Sequence, residues 1–224
     1  QRGDIVSKET SRKSYYPALD SLRVLAMVAI LVYHYAPHRL AGGFIGVDLF
    51  LVISGFLLAR SLLKWEIKGF KRNYAAYLVK RVLRLGIPMV LVFLASVSVI
   101  NIFFPDLLYN IRGALLSSVV YVNNWWQINL GYSYFEQYVH PSAFTHLWYV
   151  AVLMQLCVVW PLLFMLLRRM KKGPFALAAV QLVLAVVSAV LMAVLYNGNG
   201  DPSRVYYGTD TRLYAFALGG ALGC

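Results

Sequence analysis

Five apolar stretches, at about 19–36, 44–63, 85–104, 145–167 and 175–196, are each long enough to cross the ~30 Å hydrocarbon core of a bilayer as a helix. Length alone therefore restricts the fold. Inside lipid every backbone N–H and C=O must find a partner within the protein, and for isolated runs of this kind the α-helix is the arrangement that provides one. A further run begins at 212 and continues to Cys224. With 60% hydrophobic and 13% charged residues, the chain has too little polar surface to coat a water-soluble globule. The expected class is an all-α polytopic membrane protein, a multi-helix bundle with about five complete spans plus the start of a sixth.

The polar segment 1–18 lacks a short apolar core followed by a small-residue cleavage site, so the first apolar run reads as a retained span and not as a removed leader. The chain opens on Gln1 rather than Met and ends in an apolar run at Cys224, so it reads as an excerpt whose transmembrane domain, 19–224, is incomplete at its C-terminal end. Cys157 within a span and Cys224 at the chain end form no disulfide framework and no metal set.

The formal charge is +12, which by itself would suit nucleic acid. The distribution of the charge argues otherwise. Four Lys or Arg precede the first span, eight lie between Arg60 and Arg84, and four are Arg168, Arg169, Lys171 and Lys172. Such clusters beside apolar runs mark the cytoplasmic side and meet anionic lipid there, so no nucleic-acid partner is expected. Both 60–84 and 168–172 are then inside, and the chain must cross an even number of times between them. The spans at 85–104 and 145–167 supply two crossings, so the stretch 111–126 is expected to be interfacial or re-entrant, with Asn123, Asn124, Trp125 and Trp126 at an interface. The N-terminus is cytoplasmic by this reading, and 37–43, 105–144 and 197–211 face outward.

Ionisable residues inside spans are expensive and point to function. Arg23 and His34 stand eleven residues apart in the first run. Eleven helical steps are about three turns, which places both side chains on one face roughly 16 Å apart along the axis. The same topology puts His34, His146, Asp210 and Arg212 at one outer level. Histidine moves protons near neutral pH, and an aspartate can fix its tautomer. Asp210 or Asp48 is a candidate for that role, and the spacing does not choose between His34 and His146 as its partner. On the inner side Arg81 and Arg84, at i and i+3 beside Lys80, suit phosphate oxygens. A phosphate-attracting mouth inside, a buried Arg part-way and proton-handling groups outside fit a transmembrane group transfer. A phosphate-bearing acyl donor would enter from the cytoplasm, a His base would activate an outer alcohol, and Tyr hydroxyls or Arg212 would stabilise the oxyanion.

The stretches LDSLRVLAMVAILVYHY at 19–35, GGFIGVDLFLVISGFLL at 42–58, RVLR at 81–84, FTHLWYVAV at 144–152, WPLL at 160–163 and YYGTDTRLYAFALG at 206–219 occur in one order over nearly the whole chain. Together they resemble the acyltransferase-3 family of membrane O-acyltransferases, and GTDTR with FTHLWY most resembles its bacterial peptidoglycan O-acetyltransferase branch. The resemblance implies an enzyme of the bacterial plasma membrane. It implies a cytoplasmic acetyl-CoA donor, an extracellular cell-wall glycan acceptor, no metal, and about ten helices often followed by an extracellular SGNH-type domain that this sequence lacks. It implies His34 as catalytic base with Arg23 in the same motif, Arg81 and Arg84 as the paired-arginine motif, and Tyr206 or Tyr207 as a transient holder of acetyl. One departure stands out: relatives often carry Glu shortly after HLW, where this chain has Leu153 and Met154.

Other residues have plainer readings. Trp125, Trp126, Trp148 and Trp160 suit aromatic belts, although Trp148 beside His146 is a candidate for lining the site. Gly42, Gly43, Gly46 and Gly55 suit close helix packing. Competing functions are a proton-coupled solute transporter, for which no matching pair of broken spans is visible in the two halves, and a catalytically weak family member that supports cell-wall assembly.

Overall fold

A computed structural model of the chain describes residues 16–65, 67–105, 111–131, 133, 144–169, 173–196, 198 and 200–224. Its described residues are helical, in turns or in irregular connections, and five helices have the length and apolar composition of membrane spans. The structure divides into two compact units, residues 1–46 and 47–224.

In the first unit, α1 (Pro17–Tyr35) opens with Pro17 in its first turn, where the missing N–H costs no hydrogen bond. A short 3-10 turn (Gly43–Ile45) folds back onto it. Two glycines make this possible: a Cβ on Gly43 would stand 2.3 Å from the Ala29 carbonyl oxygen, and one on Gly46 would stand 2.6 Å from that of Ala26. Gly42 meets no such constraint.

The second unit contains α2 (Gly46–Leu62), α3 (Phe70–Phe103), α4 (Ile111–Val119), α5 (Asn123–Asn129), α6 (Leu147–Arg169), α7 (Pro174–Leu195), α8 (Ser203–Tyr207) and α9 (Thr209–Leu222). Contacts at both ends set the helix directions. Asp48 near the start of α2 meets Arg212 near the start of α9, and Trp148 at the start of α6 packs on Tyr206 just before α9. At the far end, Arg168 near the end of α6 donates to the carbonyls of Leu62, Leu63 and Trp65 at the end of α2, at 3.1, 3.3 and 2.7 Å. It thereby satisfies acceptors that a helix C-terminus leaves open. Helix α3 runs opposite to α6, with Tyr74 bonded to the Val158 carbonyl and Phe93 against Phe144. This alternation is the one that the even-crossing argument requires.

Helices α4 and α5, of nine and seven residues, are about 14 and 10 Å long and cannot cross a bilayer. Between them the backbone closes a Schellman turn, with Val122 N–H on the Ser117 carbonyl and Tyr121 N–H on that of Ser118. Tyr121 sits in the left-handed region, φ 56°, where glycine is the usual occupant.

Three sequence expectations need correction. Helix α3 starts at Phe70, fifteen residues before the apolar run at 85–104: Tyr74 anchors its first turns to the Val158 carbonyl of α6 while Lys71, Arg72 and Lys80 stay exposed. Asn123 and Asn124 are fully buried in polar contacts instead of lying at an interface. Trp148 and Trp160 are each 2% exposed and sit inside the bundle; the indole N–H of Trp160 donates to Gln181 Oε1 at 3.2 Å, so its polar atom needs no headgroup layer. Helices α2 and α9 touch through glycine: a Cβ on Gly55 would fall 2.0 Å from the Phe216 carbonyl oxygen, and one on Gly219 would fall 1.9 Å from that of Val52. Gly55 thus packs as expected.

Candidate functional site

In the first unit, Arg23 and His34 lie on one unbroken helix, so the three-turn spacing holds. Arg23 pairs with Asp20 one turn earlier, but both side chains are about two-fifths exposed, 40% and 44%. A half-solvated pair of this kind contributes little and yields readily to a competing anion. His34 Nδ1 lies 2.9 Å from the Ile30 carbonyl oxygen. With Nδ1–H donating there, the neutral ring carries its lone pair on Nε2, the atom a general base needs.

In the second unit, Asp48, Trp148, Tyr206, Tyr207 and Arg212 come together where α2, α6 and α9 begin. Arg212 Nη1 lies 2.7 and 2.8 Å from the two Asp48 carboxylate oxygens, its Nε donates to the Tyr206 carbonyl at 2.9 Å, and its guanidinium stands 4.3 Å from the Tyr206 ring centre. Tyr206 and Tyr207 are buried, with ring centres 4.8 and 5.6 Å from Trp148. Sequence reading offered Asp48 as a histidine's partner and Arg212 as an oxyanion donor. Here they bind each other, because a buried charge needs an opposite charge at hand.

Asp210 is likewise held by an arginine. Its carboxylate takes a forked pair from Arg204, at 3.2 and 2.8 Å, and the Thr211 N–H at 3.0 Å. Partial burial pushes its carboxyl up, but the Arg204 bonds and charge with the Thr211 N–H outweigh this and hold it below the usual 3.8. His146 closes the turn ahead of α6, on the exposed side.

Gln155, Asn124 and Thr209 form a network that sequence reading missed. Gln155 Nε2 donates to the Tyr121 carbonyl at 2.8 Å and to Asn124 Oδ1 at 2.9 Å. Its Oε1 accepts from Thr209 at 2.6 Å and from the Trp125 indole at 3.1 Å. Asn124 Nδ2 donates to the Tyr207 carbonyl at 3.1 Å and to Thr209 at 2.9 Å. The network therefore ties the left-handed corner at Tyr121 to the Tyr207–Thr209 corner. A lone amide within an apolar helix is costly in the same way as Arg23, and that signal was available in the sequence.

Arg81 of the basic motif stands level with the middle of α6. Arg81 reaches the Cys157 thiol, which also meets the Tyr77 hydroxyl. Cys157 is twelve residues before Arg169, or about 18 Å along α6. Arg81 Nε is buried and has no hydrogen-bond partner among the described residues, while Arg84 is exposed.

The arrangement thus offers a half-buried guanidinium level with the middle of α6 and an aromatic and ionic cluster where that helix begins. The chain is 41% identical over 219 residues to the peptidoglycan O-acetyltransferase OatA of Listeria monocytogenes, covering 96% of this chain and 35% of that protein. It is 38% identical over 214 residues to the putative peptidoglycan O-acetyltransferase YrhL of Bacillus subtilis, with 96% and 34% covered. To the O-acetyltransferase OatA of Staphylococcus aureus it is 36% identical over 208 residues, with 92% and 34% covered. The chain thus spans about a third of the length of these curated relatives. No solved structure matches it. Residues 16–224 match the acyltransferase domain family, acyltransferase-3, and the chain belongs to that family.

Proposed function

We propose that this chain is the membrane part of an O-acetyltransferase that takes acetyl from acetyl-CoA on the cytoplasmic side and delivers it to hydroxyls of extracellular peptidoglycan. Relatives named peptidoglycan O-acetyltransferases supply the substrate class. The observation that carries the reading is the position of Arg81, a half-buried cation with an enclosed Nε beside Cys157, about 18 Å along α6 from its basic end. A cation there is useful to a phosphate-bearing molecule that must push its reactive end into the bundle. Arg84 waits one turn further along the same helix.

In the proposed reaction Arg23 steadies the donor and His34 Nε2 takes the proton from an acceptor hydroxyl. The hydroxyl oxygen bonds to the acetyl carbon, the C–S bond of the thioester breaks, and the thiol leaves with the proton returned by the imidazolium. Tyr206 or Tyr207 could carry the acetyl group in a two-step version, each step exchanging one acyl bond for another. The Asp48–Arg212 pair keeps the Tyr206 segment in place. His146 is proposed as a second proton-handling group and Trp148 as a lining residue.

The test is acetyl transfer to cell-wall polymer in membranes bearing the full-length protein. His34→Ala should abolish transfer while membrane insertion persists, and Arg81→Ala with Arg84→Ala should raise the acetyl-CoA concentration needed for half-maximal rate. Normal glycan acetylation in the histidine variant would remove His34 from the mechanism, and an unchanged acetyl-CoA dependence would remove the arginines.

A further inference from the structure

Near the basic end of α6 lies a groove of about 520 Å³, lined by Phe70, Lys71 and Tyr74 of α3 and by Leu162, Met165, Leu166 and Arg169 of α6. Its volume falls in the ~300–1,000 Å³ range of small-molecule sites. Its walls are divided by chemistry. Leu162, Met165 and Leu166 supply an aliphatic floor, and Phe70 and Tyr74 close one side as a stacked pair with centres 5.5 Å apart and planes 17° from parallel. The Tyr74 hydroxyl is tied to the Val158 carbonyl, which fixes that wall against α6. Lys71 and Arg169 are the charged members, one from each helix, and both are exposed. Neither has an ion-pair partner among the described residues. The contrast with the neighbouring Arg168 is informative, since that guanidinium is occupied by three carbonyls of the α2 end.

We propose that this groove binds one anionic phospholipid, with its phosphate between Lys71 and Arg169 and an acyl chain along Leu162, Met165 and Leu166. Two exposed cations lining an otherwise apolar groove complement an anionic headgroup joined to a hydrocarbon chain. A soluble phosphate would use only the cations, and a zwitterionic lipid would bring its own positive charge to them. Lipid binding here does not depend on the acyl-transfer reading, because none of these residues belongs to the proposed reaction.

The test is native mass spectrometry of the full-length protein released from detergent with equal amounts of phosphatidylglycerol and phosphatidylcholine of identical chains. Two cationic contacts of the size found near anionic membranes predict a preference for phosphatidylglycerol of about thirtyfold. Lys71→Gln with Arg169→Gln should bring the two lipids to near parity, while Lys71→Arg with Arg169→Lys should keep the preference. Leu166→Trp, which fills the groove and leaves the charges, should lower phosphatidylglycerol occupancy. On the unaltered protein, raising salt from about 0.05 to about 0.5 M should shrink the preference several-fold. Inorganic phosphate and acetyl-CoA should not displace the lipid. Equal retention of the two lipids by the unaltered protein, a preference indifferent to salt or surviving the double Gln change, or displacement by inorganic phosphate or acetyl-CoA would each overturn the assignment.

Discussion

Removing the Asp48 carboxylate should reveal how much the bundle depends on one ion pair between residues 164 positions apart. The side chains of Arg212 and Asp48 are only 6% and 10% exposed, and both carboxylate oxygens lie within 2.8 Å of Arg212 Nη1. Water cannot replace Asp48 at such a site. Breaking a buried pair from one side typically costs about 3–5 kcal/mol, because the remaining charge stays buried without its partner. In Asp48→Ala the guanidinium would retain the Tyr206 carbonyl and ring, which places the expected loss within that range. For a chain of this size the loss corresponds to a fall of about 6–20 °C in the unfolding midpoint. Thermal unfolding in detergent, followed by the fluorescence of the buried tryptophans, measures it. The decisive comparison is Asp48→Leu with Arg212→Met, which removes both charges at similar volume and should recover most of the stability. A single variant within about 1 kcal/mol of the parent, or a double variant as weak as the sum of the singles, would refute the reasoning.

Three further outcomes are expected. Gly55→Ala should destabilise by more than the ~1–3 kcal/mol of ordinary overpacking, since its Cβ would meet the Phe216 carbonyl at 2.0 Å, whereas Gly173→Ala, with nothing within 4 Å, should be silent in the same unfolding assay. Gln155→Leu should cost at least about 2 kcal/mol, because it strands the Tyr121 carbonyl and partners on Asn124 and Thr209; amide hydrogen exchange should rise at both the 119–124 and 206–210 corners, and exchange confined to one of them would dissociate the two. Asp210 has a folded-state carboxyl below 3.8, so its contribution is present above that value and lost as pH falls through the folded value. Unfolding midpoints of the parent should therefore decline more steeply below about pH 4 than those of Asp210→Asn, and identical slopes would show that the Arg204 pair does not contribute.

The spans were legible because lipid imposes one rule on every backbone group, and a run of apolar residues records that rule directly. Charge clusters recorded the alternation of direction, and the lengths of α4 and α5 agree with the prohibition on a further crossing at 111–126. The start of α3 was not legible, because a basic, mixed segment such as 70–84 carries no continuous apolar signal and is anchored through contacts of Tyr74 and Arg81 with α6. Polar residues in costly places marked Arg23, His34, Asp48 and Arg212 as candidates.

Partnership was what composition and spacing withheld. A sequence states that a buried aspartate needs a cation, and tertiary packing chooses Arg212 for Asp48 and Arg204 for Asp210. The membrane-spanning class, the number of long apolar spans and the costly residues follow from solvation, which acts on each residue where it stands. Asn124, Gln155 and Thr209 acquire their joint role only through side-chain contacts between segments up to 85 positions apart, because hydrogen bonds and ion pairs depend on distances of a few ångströms that helix packing alone sets.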